Sequence, residues 1–283
     1  MKKHEREIDN AASAEHTMEE KPVYERPYDR QIKANRLVGK KAIITGGDSG
    51  IGRAVSIAFA REGADVVIVY KKNTEDAEET KKLVEEKGGK AILIETDISK
   101  EENCNSIIEQ VIEEWGAIDI LINNAAVQFP QEEVEDISAE QMRQTFETNI
   151  FSNFYLVKAA LPHLKAGSCI INTASVVAYR GNPQLLDYSS TKGAIVAFTR
   201  TLSGMLADKQ IRVNAVAPGP IWTPLIVSTF TKEHQKKFGK DSPMKRPGQP
   251  AEVAPAYVFL ASDDASYISG QVIHINGGEP VNG

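Results

Sequence analysis

From residue 37 onward, short unbroken apolar runs alternate with longer segments whose apolar positions recur every three to four residues. Runs such as Asp65-Val-Val-Ile-Val-Tyr70 suit strands buried on both faces, and the longer segments suit amphipathic helices. The pattern predicts strands at 41–45, 65–70, 91–95, 118–123, 168–174, 211–218 and 271–275. Helices are expected at 50–62, 75–87, 99–115, 138–164, 188–209 and 250–261. Ser99-Lys-Glu-Glu102 and Ser138-Ala-Glu-Gln141 have the form of capping boxes, Gly116 and Gly167 end helices, and Pro162 should bend the helix that contains it. Strands separated by helices require right-handed crossovers, hence a parallel sheet covered on both faces. A single-domain α/β fold follows: a doubly wound, Rossmann-type, seven-stranded parallel sheet.

Residues 1–36 lack this periodicity and read as a polar N-terminal arm. Its apolar handles, Pro22-Val23-Tyr24 and Pro27-Tyr28, either dock an extended segment on the domain or belong to a mobile terminus. The domain proper is 37–283, and its longest irregular segment, 219–249, reads as a substrate loop with a helical piece at 231–238.

Composition narrows the function classes. With 41% hydrophobic and 25% charged residues among 283, the chain is ordinary for a globular protein. A formal charge of −6 leaves no general basic field, which argues against nucleic acid or anionic membrane and for a small-molecule partner. Cys104 and Cys169 read as reduced packing residues, and the five histidines show no ligand spacing, so no metal site is expected. No apolar run reaches signal-peptide or membrane-spanning length, and a cytoplasmic location is the expectation.

The first strand runs into Thr45-Gly46-Gly47-Asp48-Ser49-Gly50-Ile51-Gly52, with the first helix opening at Gly50. Glycines there allow a tight turn and let the backbone approach a pyrophosphate, while the helix start offers unpaired N–H groups. A dinucleotide cradle is the reading, against a ligand-free turn. An acidic residue about 20 positions beyond such glycines suits a ribose 2′-OH, whereas a basic one suits a 2′-phosphate. The second strand ends in Tyr70-Lys71-Lys72-Asn73, with no carboxylate before Glu75. Lys71 is therefore the candidate phosphate partner unless it is only a solvated turn; NADP(H) is favoured and NAD(H) stays open. Tyr188 and Lys192 lie four apart in a predicted helix, on one face, where the ammonium could lower the phenol's pKa. That spacing alone arises about once by chance in such a chain, so its surroundings decide its meaning.

Those surroundings resemble the short-chain dehydrogenase/reductase family. The glycine turn, Asn123-Asn124-Ala125-Ala126, Asn149, Ser175, Tyr188-x-x-x-Lys192 and Pro218-Gly219 match its motifs in order over 37–283. Ala126 departs from the family's glycine. The arm and the form of the glycine turn are similar to bacterial stress-associated reductases and an aldehyde-reductase branch. The resemblance implies that Tyr188 protonates a carbonyl oxygen, Lys192 lowers its pKa and binds the nicotinamide ribose, and Ser175 hydrogen-bonds the carbonyl. Asn149 would hold a water linking Lys192 to solvent, and Asn123 would be structural. Gly46, Asp48, Ser49, Gly50, Ile51, Gly52, Asn124, Ala125, Ala126, Pro218 and Gly219 would border the cofactor, with Asp97 and Ile98 at the adenine and Ile221 and Thr223 at the carboxamide. Asp97 could equally belong to the cap region beside Ser99.

Gln184, Leu185, Trp222 and Leu225 are candidate substrate-pocket residues, and a homotetramer is the family expectation. The function implied is hydride transfer between NADP(H) and a carbonyl or alcohol, an aldehyde among the candidates. An NAD-dependent or dual-cofactor alcohol or sugar dehydrogenase, a non-redox epimerase or dehydratase, and a nucleotide-sensing protein are the rivals.

Overall fold

A computed structural model describes residues 14–27 and 35–281. Seven parallel strands form one sheet: β1 Lys41–Thr45, β2 Asp65–Tyr70, β3 Ala91–Glu95, β4 Ile120–Asn123, β5 Cys169–Thr173, β6 Arg212–Pro218 and β7 Val272–Ile275. Their order is β3-β2-β1-β4-β5-β6-β7, so the winding reverses between β1 and β4. The crevice at such a reversal, beyond the carboxyl ends of the strands, is where open α/β sheets bind ligands.

The helices in chain order are α1 Gly50–Arg61, α2 Thr74–Glu86, α3 Glu101–Trp115, α4 Ala139–Phe146, α5 Ser152–Ala160, α6 Val177–Arg180, α7 Leu186–Leu206, α8 Pro224–Thr229, α9 Lys232–Lys237 and α10 Pro250–Ala261. Alternation along each strand sends side chains to the two faces of the sheet. Ile44, Ile68, Ile122 and Ile171 pack with Phe59 of α1 and Val253 and Tyr257 of α10. Their neighbours Ile43, Val67, Leu121 and Ile170 pack with Ile107, Ile108 and Leu156 of α3 and α5. The sheet is thus covered on both faces, as its unbroken apolar strands require.

Several local expectations are corrected. The segment expected as one helix over 138–164 is α4, a π-helical turn Glu147–Phe151, α5, and a 3-10 turn Leu161–His163 containing Pro162. Ser138 caps α4 by accepting from the Gln141 N–H at 3.0 Å, but the Gln141 side chain does not return to it. It donates instead to Phe129 O at 3.1 Å and to Asp187. Ser99 is not a cap: α3 starts at Glu101, and the Ser99 N–H donates to Asp97 Oδ1 at 3.0 Å. In the 219–249 loop the expected helical piece is α9, and α8 precedes it with Pro224 at its first position, where a missing N–H costs nothing.

The described part of the arm lies against the domain. The Val23 N–H donates to Gln249 Oε1 and Val23 O accepts from the Ala251 N–H at 3.0 Å, while Tyr24 packs on the α1/α10 core. Tyr28 lies outside the described residues. Among the described residues no helix is long and apolar enough to cross a membrane.

Candidate active site

A cavity of about 780 Å³ opens along the carboxyl ends of the strands and runs from the glycine turn to Tyr188 and Lys192. That volume lies within the range of cofactor sites. Of the residues expected to form the site, all but Gly52 and Asn149 line it. Of the four expected in the substrate pocket, Leu185 and Leu225 line it and Gln184 and Trp222 do not. Gln184 Nε2 reaches Glu132 Oε1 at 2.7 Å, and Trp222 Nε1 donates to Glu20 O in the arm at 3.1 Å. Both have turned to polar partners that loop sequence alone does not disclose.

The glycine turn is tightly wound and closely packed. Gly46 and Gly50 have φ of 61° and 54°, the left-handed region. A Cβ on Gly52 would fall 2.7 Å from the Gly46 carbonyl carbon and 2.9 Å from Asn124 Nδ2. Gly52 therefore acts behind the cavity, by letting α1 approach the turn. Asn124 ties the turn to β4: its N–H donates to Thr45 Oγ1 at 2.9 Å and its Nδ2 to Thr45 O at 3.0 Å. Asn123 is structural, its Nδ2 donating to Asn172 Oδ1 at 2.9 Å between β4 and β5. Burial pushes the Asp48 carboxyl up to about 6.

Just past β2 and β3, Lys71 and Asp97 form a 2.8 Å ion pair on the cavity wall. Partial burial works against the Asp97 charge, but hydrogen bonds from Lys71 and Ser99 prevail and hold its pKa below the usual carboxylate value. The expected phosphate partner thus already carries a carboxylate partner. Opposite, the 219–249 loop closes on the cradle: Thr223 lies beside Gly50, and Ile221 bridges to Gly248. Gly219 lacks room for a side chain, because a Cβ would meet Asn276 Cα at 2.7 Å.

The end of the cavity lined by Ser175, Tyr188 and Lys192 is built on β5 and α7. Asp187 fixes the start of α7: its Oδ1 accepts the Tyr188 N–H at 2.8 Å and its Oδ2 accepts the Thr145 hydroxyl at 2.8 Å. One turn on, Lys192 is buried with its Nζ 5.3 Å from the Tyr188 ring centroid and donating to Thr173 O at 2.7 Å. Burial dominates the ionisation of both groups. Burial pushes Tyr188 up to about 12, against a downward pull from its hydrogen bond with Ser175, and burial alone pushes Lys192 down to about 7. Desolvation outweighs the Ser175 hydrogen bond at the phenol, and both shifts favour the neutral forms of the two groups.

Asn149 sits in the π-helical turn with its side chain spent on protein partners. Its Oδ1 accepts the Val127 N–H at 2.8 Å, and its Nδ2 donates to Val127 O at 2.9 Å and Thr191 Oγ1 at 3.2 Å. Sequence reading missed Gln128, which lies on the cavity wall two residues past the Asn-Asn-Ala-Ala motif.

The family model described as enoyl-(acyl carrier protein) reductase matches residues 46–279. A short chain dehydrogenase from Burkholderia cenocepacia J2315, solved in complex with NADP, superposes with a TM-score of 0.81 at 30% identity, covering 86% of this chain and 98% of that one. The chain belongs to the short-chain dehydrogenase/reductase family. It is accordingly an oxidoreductase of carbonyl and alcohol groups. Within the family, the uncharacterized oxidoreductase YhxC of Bacillus subtilis (strain 168) is 59% identical over 95% of this chain and 93% of its own. The NADPH-dependent aldehyde reductase 1, chloroplastic, of Arabidopsis thaliana is 54% identical over 95% of each chain. A 3-ketoacyl-(acyl-carrier-protein) reductase from Brucella melitensis, complexed with NADH, superposes with a TM-score of 0.77 at 34% identity, covering 86% of this chain and 98% of that one.

Proposed function

We propose that this short-chain dehydrogenase/reductase interconverts an aldehyde-type carbonyl and its alcohol, with NADP(H) as the favoured cofactor. The observation that carries the reading is the convergence of Ser175, Tyr188 and Lys192 at one end of a cavity whose other end is the glycine cradle. The turn at 46–50 would hold the pyrophosphate, Asp97 and Ile98 the adenine side, and Pro218, Gly219, Ile221 and Thr223 the nicotinamide side. The nicotinamide, when bound, supplies or takes the hydride. Tyr188, pushed up to about 12, keeps its proton until the carbonyl oxygen gains charge, then donates it. Ser175 shares the hydrogen bond and would stabilise the same oxygen. Lys192, anchored on Thr173 O, faces the phenol and would restore its charge balance. Asn149 would act by positioning: Thr191, which it holds, donates to the Tyr188 carbonyl at 2.7 Å. Both Asn149 amide donors are taken, so a water linking Lys192 to solvent would lie against its backbone.

Lys71 on the cavity wall supports NADP(H), as do the NADPH-dependent plant relative and the NADP-bound neighbour. The Lys71–Asp97 pair favours a second reading, NAD(H) or dual use, because the carboxylate would repel a 2′-phosphate. We further assign a cytoplasmic location, in keeping with two buried free thiols, and a homotetramer, testable by light scattering. The function is tested by NADPH and NADH oxidation over a panel of aldehydes, ketones and sugars, with the Tyr188→Phe variant in parallel. Tyr188→Phe should keep cofactor binding and lose roughly 10²-fold or more in kcat; near-normal kcat would refute the assignment.

A further inference from the structure

Glu15 lies in the arm, outside the span matched by the family model, yet its carboxylate is buried against the cofactor cradle. Its Oε2 accepts the N–H of Gly50, the first residue of α1, at 3.1 Å. Its Oε1 pairs with Arg53 Nη1, and the Tyr24 hydroxyl donates to Oε2. Arg53 is itself buried and reaches back into the turn, its Nε donating to Asp48 O at 2.9 Å and its Nη2 to Asp76 O at 2.8 Å. The Tyr24 ring covers the guanidinium at 5.1 Å. Asp76 closes the ring by accepting the N–H groups of Glu15 at 2.6 Å and His16 at 3.0 Å.

We propose that Glu15 is a positioning residue for cofactor binding: through Gly50 and Arg53 the arm fixes the shape of the phosphate turn. Glu15 is not among the residues that line the cavity, so its effect is indirect. Two points of the turn are held, the Asp48 carbonyl by Arg53 and the Gly50 amide by Glu15 itself. A carboxylate suits that amide because the start of a helix carries unpaired donors and positive potential, and with Gly50 so held the pyrophosphate would take the other amides of the turn. It also completes the neutralisation of Arg53, and a buried charge that loses a partner moves or unfolds its surroundings. Coupling of this kind is reciprocal: if the docked arm favours the cofactor-binding shape of the turn, bound cofactor favours the docked arm.

The inference rests on the proposed reading of the turn as a dinucleotide site, so wild-type binding of NADPH and NADH is measured first. Binding of neither would overturn both readings. With wild-type binding established, Glu15→Ala should raise the Kd for the cofactor by roughly tenfold while kcat at saturating cofactor stays within about twofold. Glu15→Gln, which keeps an acceptor for Gly50, should recover part of the loss. In the unmodified protein, backbone hydrogen exchange over residues 14–27 should slow when NADPH is added. A merely structural arm would lower Tm and leave both readouts alone. A folded Glu15→Ala with a wild-type Kd, or exchange over 14–27 that ignores saturating NADPH, would overturn the proposal. Should Glu15→Ala fail to fold, the exchange experiment decides.

Discussion

Replacing Gly52 by alanine sets two effects of known size against each other. In an exposed helix, Gly→Ala stabilises by about 1 kcal/mol through backbone entropy. At Gly52 the new methyl would lie 2.7 Å from the Gly46 carbonyl carbon and 2.9 Å from Asn124 Nδ2, with the Gly46 oxygen closer still. Carbon atoms sit comfortably at about 3.5–4.0 Å, so α1 and the turn must separate by about 1 Å or more. The turn cannot yield cheaply, because Asn124 Nδ2 holds Thr45 O at 3.0 Å and Gly46 already occupies the left-handed region at φ 61°. Overpacking of this kind costs about 1–3 kcal/mol, enough to cancel the helix gain. The larger effect falls on the cradle, where a displacement of about 1 Å can cost on the order of 10²-fold in function. Gly204, exposed in α7 with nothing within 4 Å of a built Cβ, is the control and should gain about 0.5–1 kcal/mol as alanine. Thermal unfolding and fluorescence titration with NADPH and NADH check both variants. If Gly52→Ala bound cofactor within threefold of wild type, the assignment of this turn as the phosphate cradle would be refuted.

Other outcomes follow from the same geometry. Lys71→Ala should lower kcat/KM with NADPH by roughly tenfold and leave NADH nearly unchanged, the size of one partly exposed charge-assisted hydrogen bond; equal losses with both cofactors would mean that Lys71 does not read the 2′-phosphate. Asp48 is raised from 3.8 to about 6 by burial, so the folded state binds its proton more tightly than the unfolded state. Its stabilising contribution is full below about pH 4 and lost as pH rises through 6. Asp48→Asn should therefore gain stability relative to wild type over that window, by about 1–3 kcal/mol at pH 7, as read from urea unfolding at several pH values; a pH-independent difference would contradict the burial argument.

The strands were legible because a parallel sheet needs runs that are apolar on both faces, and Asp65–Tyr70 keeps its expected bounds. The glycine turn was legible because Gly46 and Gly50 need left-handed backbone and Gly52 needs to lack a side chain. What escaped is set by distant partners. The π-helical turn carries Asn149 to Val127, 22 residues away, and helical periodicity cannot report such a bond. Trp222 and Gln184 look like pocket residues until Glu20 and Glu132 are seen to claim them. Spacing identified the Tyr188–Lys192 pair but not the depth of the pocket, and burial turned the phenol's pKa upward. The arm left docking and a mobile terminus both open in sequence because the partner of Glu15 is Arg53, in another element.

The most direct test of the central claim is label transfer. The purified enzyme would be given NADPH carrying two deuteriums at C4 of the nicotinamide and an aldehyde from the reactive panel, and the product analysed by mass spectrometry. Deuterium should appear on the carbinol carbon of the alcohol, one per NADP⁺ formed, and Tyr188→Phe should abolish the transfer without releasing the cofactor. Product without label and without net NADPH consumption would contradict hydride transfer at this site.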